Sequence, residues 1–169
     1  MIIVADSTPI HYLILIGEIE VLKELFGHVI IPQAVFEELR RDRTPLPVRD
    51  WIDSDPVWLE VKRASLELNE VAKSLGKGER EAIALAIELN ADALLMDDKR
   101  AKNEARRRNI PVITIFNILE TASVRGWLEL PDAIARLRQT NFYLPPKDVI
   151  ADVLERDRQF KESRKTQRP

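Results

Sequence analysis

The fold is decided by the stretch IIVADSTP at residues 2–9. Its four leading apolar residues are typical of a short strand buried on both faces, as in a parallel sheet. The strand ends at Asp6, and Ser7 or Thr8 before Pro9 favours a helix start. These residues therefore predict a strand, an acid at its carboxyl end, and a helix that runs to about Gly17.

The same alternation continues outward from this stretch. Apolar runs predict further strands at 28–31, 57–62, 93–96 and 112–115, and helical sequence is expected at 18–26, 32–41, 64–75, 79–90, 99–108, 117–125, 131–139 and 146–157. Residues 43–54, with two prolines, are interpreted as irregular. Strands separated by helices are typical of a mostly parallel sheet covered on both faces. We predict an α/β fold with a single three-layer domain, a mostly parallel central sheet flanked by helices at 1–158, and a charged tail at 159–169 that frays.

Composition narrows the class of protein. With 169 residues, 45% hydrophobic and 32% charged, the chain suits one globular domain. It has no cysteine, which excludes disulfides and thiolate zinc sites and fits a cytoplasmic location. No apolar stretch is long enough to span a membrane, and no signal peptide is evident. The net charge of −2 means that a nucleic-acid partner requires a local basic surface.

Acidic residues follow two of the predicted strands. Asp6 ends the first, and Asp97 and Asp98 end the strand at 93–96. The carboxyl ends of parallel strands form the usual ligand crevice of such sheets. On the helix at 32–41, a turn of about 100° per residue places Glu38 inside the apolar stripe and Glu37 about 100° away from it. Glu38 is therefore the predicted inward acid.

The helix at 79–90 carries two further candidates. Apolar residues occur at almost every angle after its first turn, so we expect it to be largely buried. Glu81 lies on its narrow polar edge near the helix N-terminus, where the amide groups favour an anion. Glu79 lies on the other side of the same turn and is the second choice.

Inward carboxylates require a proton, a partner or a cation, because desolvating a lone charge costs several kcal/mol. The chain offers oxygen ligands and only two histidines, His11 and His28. Such ligands suit Mg²⁺ or Mn²⁺ better than zinc. Phosphodiester hydrolysis, with one or two such ions, is the chemistry that this donor set favours.

Four motifs in this order carry a family resemblance: Asp6-Ser7, Glu38-Leu39, Gly76–Ala82 and Asp97–Ala101. Together they resemble a PIN domain, and more closely the VapC-like branch with Gly-x-Gly-Glu-x-Glu-Ala and Asp-Asp-x-x-Ala segments. The resemblance covers about residues 1–160. It implies a PIN-like fold and a metal-dependent ribonuclease that is the toxin of a toxin–antitoxin pair, forms a homodimer and is controlled by a small DNA-binding antitoxin.

The resemblance also implies roles for individual residues. The catalytic and metal-binding acids would be Asp6, Glu38, Glu81 and Asp98, with Asp97 assisting the metal and Ser7 and Glu79 supporting. One departure concerns the last strand, where the branch tends to have Gly-Thr and this chain has Thr114-Ile115. The polar group would then be missing, or be supplied by Thr114 or Asn117.

Each acid also has a purely structural interpretation. Asp6 and one of Asp97 and Asp98 could cap helices, Glu38 could reach solvent, and Glu81 could serve the helix dipole. Basic residues permit two interpretations as well. Those at 99–108 and 40–43, including Lys99, Arg100 and Arg40, would contact RNA phosphates or form solvated helix faces.

Two other functions compete with the ribonuclease. The first is a catalytically silent PIN-fold module that binds RNA or protein. The second is an Asp-based phosphotransfer protein or receiver domain, which also places Asp at strand ends. Asp6-Ser7-Thr8 lacks the paired acids of a receiver and the second Asp of haloacid-dehalogenase-type enzymes, so sequence order disfavours it. The RNA target, the number of ions and the antitoxin stay open.

Overall fold

A computed structural model describes residues 1–66 and 74–166, and the chain divides into two compact units. The first unit spans Met1–Ile115 and the second begins at Phe116. The predicted helix at 64–75 falls largely on residues outside the described ones. We describe each unit by itself.

The first unit contains a five-stranded sheet. Its strands are β1 (Ile3–Ala5), β2 (Val29–Pro32), β3 (Leu59–Lys62), β4 (Ala93–Leu95) and β5 (Val112–Ile113). They lie in the order β3-β2-β1-β4-β5, and every pairing among them is parallel. The fully apolar strands β1 and β4 are completely buried, as runs without alternation require. The predicted α/β fold with a parallel sheet flanked by helices is confirmed.

Six helices lie wholly within the described part of this unit. They are α1 (Ser7–Leu15), α2 (Glu20–Phe26), α3 (Gln33–Leu39), α4 (Leu46–Asp53), α5 (Lys77–Glu88) and α6 (Lys99–Arg107). Helix α5 packs on β1, β2 and β4 and also against α3. Its Ile83 and Leu85 lie in a buried core with Val4, Leu94 and Met96. The helix at 79–90 is thus as buried as its composition predicts.

Helix α4 corrects the interpretation of residues 43–54 as irregular. Pro45 is the N-cap of this helix, and Pro47 lies in its first turn, where no amide hydrogen is needed for a helical hydrogen bond. Val48 and Ile52 are buried, one turn apart, on its inner side. The prolines therefore start a helix here.

The order of the strands positions the candidate site. β1 and β4 are neighbours, with Ala5 paired to Leu95, while the chain leaves them toward opposite edges of the sheet. The Asp6 N–H donates to the Leu95 carbonyl at 3.0 Å. A crevice opens beyond the carboxyl ends of strands at such a switch point. Asp6 and Asp98 both lie at this end.

The second unit is helical. Helix α7 (Ile115–Val124) begins at the last residue of the first unit, and α8 (Leu130–Arg138) and α9 (Lys147–Thr166) follow. The buried Ser123 hydroxyl donates to Asp157 Oδ1 at 2.6 Å and joins α7 to α9. No helix within 1–66 and 74–166 has the length and apolarity needed to cross a bilayer.

Helix α9 also continues through residues 159–166, for which the sequence predicts fraying. Two ion pairs with a spacing of four residues connect its turns. Asp157 pairs with Lys161 at 3.2 Å, and Arg158 pairs with Glu162 at 2.7 Å. Pairs at this spacing stabilise a helix by about 0.2–0.5 kcal/mol each.

Candidate active site

The centre of the site is Asp6, which follows β1 and precedes α1. Its side chain is buried, and Oδ1 accepts no hydrogen bond from the described residues. The pKa of Asp6 is raised from 3.8 to about 7, chiefly by burial. The charges of Glu79 and Glu38 add to this rise, and the amides of Ser7 and Thr8 oppose it. A buried carboxylate with an unpartnered oxygen is costly, so this position calls for a proton or a cation.

Glu38 on α3 lies beside Asp6 because Gly78 leaves room for both. A Cβ on Gly78 would be 2.8 Å from Glu38 Oε2 and 3.7 Å from Asp6 Oδ1, so both oxygens lie within 4 Å of one point. Neighbouring Glu37 is exposed and contacts Gln33 and Lys77 instead. The two glutamates thus diverge as the helical geometry predicts.

Glu79 is the acid of α5 that faces this group. Its Oε2 accepts the Gly76 N–H at 2.7 Å across the start of the helix. Burial raises the pKa of Glu79, the Gly76 amide opposes this, and the charges of Asp98 and Glu38 raise it again. Glu79 therefore adjoins the acids from β1, α3 and the end of β4.

Glu81, the first choice from the sequence on α5, is committed to another contact. Its Oε2 accepts the Ala34 N–H at 3.0 Å, in the first turn of α3, and its Oε1 lies 3.8 Å from Lys77 Nζ. An amide at a helix start lacks an intrahelical acceptor and attracts a carboxylate. The structure thus places Glu81 as a cap for α3 and brings Glu79 to the other acids.

The two aspartates after β4 point to different partners. Asp98 is the N-cap of α6, and its Oδ1 accepts the N–H groups of Arg100 and Ala101, both at 2.8 Å. Asp97 accepts the Ile115 N–H with its two oxygens at 3.3 and 3.1 Å. The pKa of Asp97 is raised to about 6, chiefly by burial, against the opposing effects of the Ile115 amide and Lys102. Asp97 thus holds the backbone at Ile115, two residues after β5 ends.

The donor set matches a hard divalent cation. Across 1–66 and 74–166, no three Asp, Glu or His side chains converge closely enough to form a cage around one ion. Mg²⁺ does not require such a cage, because it usually keeps several waters and takes one or two carboxylates together with phosphate oxygens. Asp6 has a carboxylate oxygen without a hydrogen-bond partner among the described residues, and Glu38 lies beside it where Gly78 has no side chain. These two carboxylates are enough protein ligands for Mg²⁺.

The sequence of the chain also matches a known protein family. The family model DUF3368, described as a PIN domain, matches residues 2–159, which is nearly the whole chain. The chain belongs to the PIN domain family. PIN domains are generally metal-dependent nucleases that use divalent ions.

A solved structure shares the PIN fold of this chain. It is a PilT N-terminus domain protein from the hyperthermophilic archaeon Sulfolobus solfataricus P2, with a TM-score of 0.53 and 21% identity. The match covers 72% of this chain and 93% of that one. At this identity the likeness shows the fold alone. A search of curated proteins found no match.

The three basic residues that the sequence predicts to contact RNA differ in whether they are free to bind a phosphate. Arg40 is paired with Asp53 at 2.5 Å and lies over the Phe36 ring, so the predicted RNA contact would compete with two existing partners. Lys99 and Arg100 are exposed at the start of α6, directly after Asp98. Of the three predicted contacts, these two lie beside the acids.

Two residues of the site were not singled out from the sequence. Gly78 allows the close approach of two acids, and the Gly-x-Gly spacing of residues 76–78 was the available signal. His11 on α1 is half-buried; burial lowers its pKa, while the charge of Glu38 acts in the opposite direction. The position of His11 in the helix that directly follows Asp6 is the sequence signal that could have indicated its place near the site.

Proposed function

We propose that this PIN domain is an endoribonuclease that depends on Mg²⁺ or Mn²⁺. The observation that carries the proposal is the buried Asp6, whose Oδ1 has no hydrogen-bond partner among the described residues and which adjoins Glu38 and Glu79. Uncompensated negative charge at the carboxyl end of a central strand is tolerable when a cation neutralises it.

We assign Asp6, Glu38, Glu79 and Asp98 to the catalytic group, in which Asp6 and Glu38 would hold the ion directly and Glu79 and Asp98 would lie around it. Glu79 enters in place of Glu81 because Glu81 caps α3. A bound divalent ion supplies an activated water and stabilises charge on the leaving oxygen. Asp97 and Ser7 would act as positioning residues, Asp97 through the Ile115 amide and Ser7 through its amide near Asp6.

The chain's own residues then orient the substrate around these acids. Glu79 and Asp98 each use one oxygen for a backbone amide, so the other oxygen of each carboxylate is available to the site. Their amide contacts hold both side chains against the strand ends. A group held in place in this way would receive a divalent ion, and through it a phosphodiester, with little rearrangement of the protein.

The finer assignment extends the family resemblance. We propose RNA as the substrate, a toxin role with a small DNA-binding antitoxin, a homodimer and a cytoplasmic location. An adjacent open reading frame for a short DNA-binding protein, and inhibition of cleavage by that protein, would support the toxin role. Light scattering of the purified chain would test the dimer.

The decisive experiment compares wild type with Asp6→Asn on single-stranded RNA and on DNA of the same sequence. We expect cleavage of RNA that requires Mg²⁺ or Mn²⁺ and is lost in the variant. RNA binding without cleavage at any metal concentration would indicate the silent module instead. Phosphorylation of Asp6 by an acyl-phosphate donor would indicate the phosphotransfer protein.

A further inference from the structure

A second site lies along α6, beside the acids but outside them. It is a groove of about 210 Å³ lined by Ser74, Leu75, Arg100, Asn103, Glu104 and Arg107. Four of these residues follow the spacing i, i+3, i+4, i+7, so they form one face of the helix. We call this feature the α6 groove.

The α6 groove carries excess positive charge. The buried Glu104 carboxylate is occupied by Arg108, whose Nε and Nη2 lie at 2.9 and 2.8 Å. Arg107 approaches Glu104 only at 3.7 Å, and its side chain is 74% exposed. Arg100 forms no ion pair within the described part of the chain. Two guanidinium groups are therefore available at the groove, and Glu104, the acid that lines it, is already paired with Arg108.

One end of the groove adjoins the catalytic group. Asp98 Oδ1 accepts the Arg100 N–H at 2.8 Å, and the charge of Arg100 acts on Glu79. Arg107 lies seven residues further along α6, about 10 Å away at 1.5 Å per residue. The groove thus extends from the acids along the helix surface.

Its size and chemistry indicate part of a polymer rather than a whole small molecule. Sites that enclose a small molecule usually measure about 300–1,000 Å³, which exceeds this volume. Leu75 supplies apolar surface, Asn103 an amide that can donate and accept, and the arginines bind phosphate. A nucleotide offers a flat base and an anionic phosphate to such a set.

We propose that the α6 groove binds one nucleotide of a single-stranded RNA next to the position of cleavage, with its phosphate at Arg107 and its base at Asn103 and Leu75. This inference rests on the proposed ribonuclease function. In this arrangement Asn103 contacts the edge of the base and the arginines contact the RNA backbone. The groove would therefore select the base at one position and fix how the strand lies relative to the acids.

The test compares Arg107→Ala with Arg106→Ala in the full chain. Arg106 is exposed on the same helix and does not line the groove, so the two variants lose the same charge from neighbouring positions. The probe is a fluorescent single-stranded RNA of mixed sequence, and Kd is measured by anisotropy in EDTA, where no cleavage occurs.

We expect Arg107→Ala to raise Kd about tenfold and Arg106→Ala to change it less than about twofold. The slope of log Kd against log salt should fall by about 0.7 in the first variant, as expected for one lost phosphate contact on a single strand. With metal present, Arg107→Ala should raise KM for cleavage and leave kcat unchanged.

The outcomes separate this inference from the catalytic proposal. If wild type cleaves RNA but both arginine variants bind alike, the groove assignment is overturned and the nuclease stands. If wild type cleaves no RNA yet Arg107→Ala weakens binding selectively, the nuclease proposal fails and the groove remains an RNA site. Tighter binding of an acidic peptide than of RNA would also overturn the assignment.

Discussion

Replacing Asp6 by Asn should stabilise the metal-free protein while it abolishes cleavage. The pKa of Asp6 rises from 3.8 to about 7 on folding, mainly because the carboxyl group is buried. This shift of about three pKa units corresponds to roughly 4 kcal/mol of unfolding free energy at 1.36 kcal/mol per unit. Asn has nearly the same shape and cannot ionise, so the variant avoids this cost.

The sign of the pH dependence follows from the direction of the shift. Below pH 3.8 both the folded and the unfolded chain hold the proton, and Asp6 imposes no penalty. Between that value and about 7 only the folded state keeps the proton, so the unfolding free energy falls by about 1.4 kcal/mol per pH unit. The difference in unfolding free energy between Asp6→Asn and wild type should therefore increase up to pH 7 and then stay constant.

Urea unfolding followed by circular dichroism in EDTA, from pH 5 to pH 8.5, measures this difference. Asp50→Asn is the matched control, because it makes the same chemical change at an exposed position on α4. Mn²⁺ at a hundred times its Kd should stabilise wild type by about 2.7 kcal/mol and the variant by much less. An Asp6→Asn protein that is less stable than wild type at pH 8 would refute the reasoning.

Three other predictions concern neighbouring positions. Glu79→Gln should abolish cleavage. Glu81→Gln should keep it and lose about 0.3–1 kcal/mol of unfolding free energy, because the glutamine oxygen still accepts the Ala34 N–H but the charge that favours this helix start is gone; the reverse result in a cleavage assay would restore Glu81 as the ligand. Gly78→Ala should reduce kcat at least tenfold, because the added methyl would lie 2.8 Å from the Glu38 carboxylate. Gly76→Ala is the control, and it should reduce kcat less than about threefold because its nearest contact is at 3.5 Å. Asp97→Ala should lower the melting temperature, because it removes the acceptor of the Ile115 N–H, yet leave measurable metal-dependent cleavage; complete inactivation without unfolding would assign Asp97 to the metal.

The sheet was predictable because its strands are short apolar runs that end at polar residues. Asp6 could be placed at a strand end from residues 2–9 alone, and the inward direction of Glu38 followed from helical geometry. Helix α4 was not predictable from breaker residues, since Pro45 and Pro47 signal a helix start as well as a loop. The deciding factor was burial of Val48, which depends on tertiary packing.

The choice between the two acids of α5 could not be made from one helix. Glu79 and Glu81 lie in neighbouring turns, and both satisfy the expectation of an anion near a helix N-terminus. What separates them is the position of α3, whose Ala34 amide takes Glu81. Contacts between helices distant in sequence have no signature in local periodicity, so the sequence alone could not show that Glu81 contacts α3.

The hydrogen bond between Glu81 and Ala34 has a consequence for control of the protein. It joins the helix that carries Glu38 to the helix that carries Glu79, and such a bond weakens steeply when its geometry is distorted. A protein that pulls α3 outward by the width of one water molecule would separate two acids without covering either. An inhibitor could therefore act from the outer surface of the molecule and leave the cleft open to RNA.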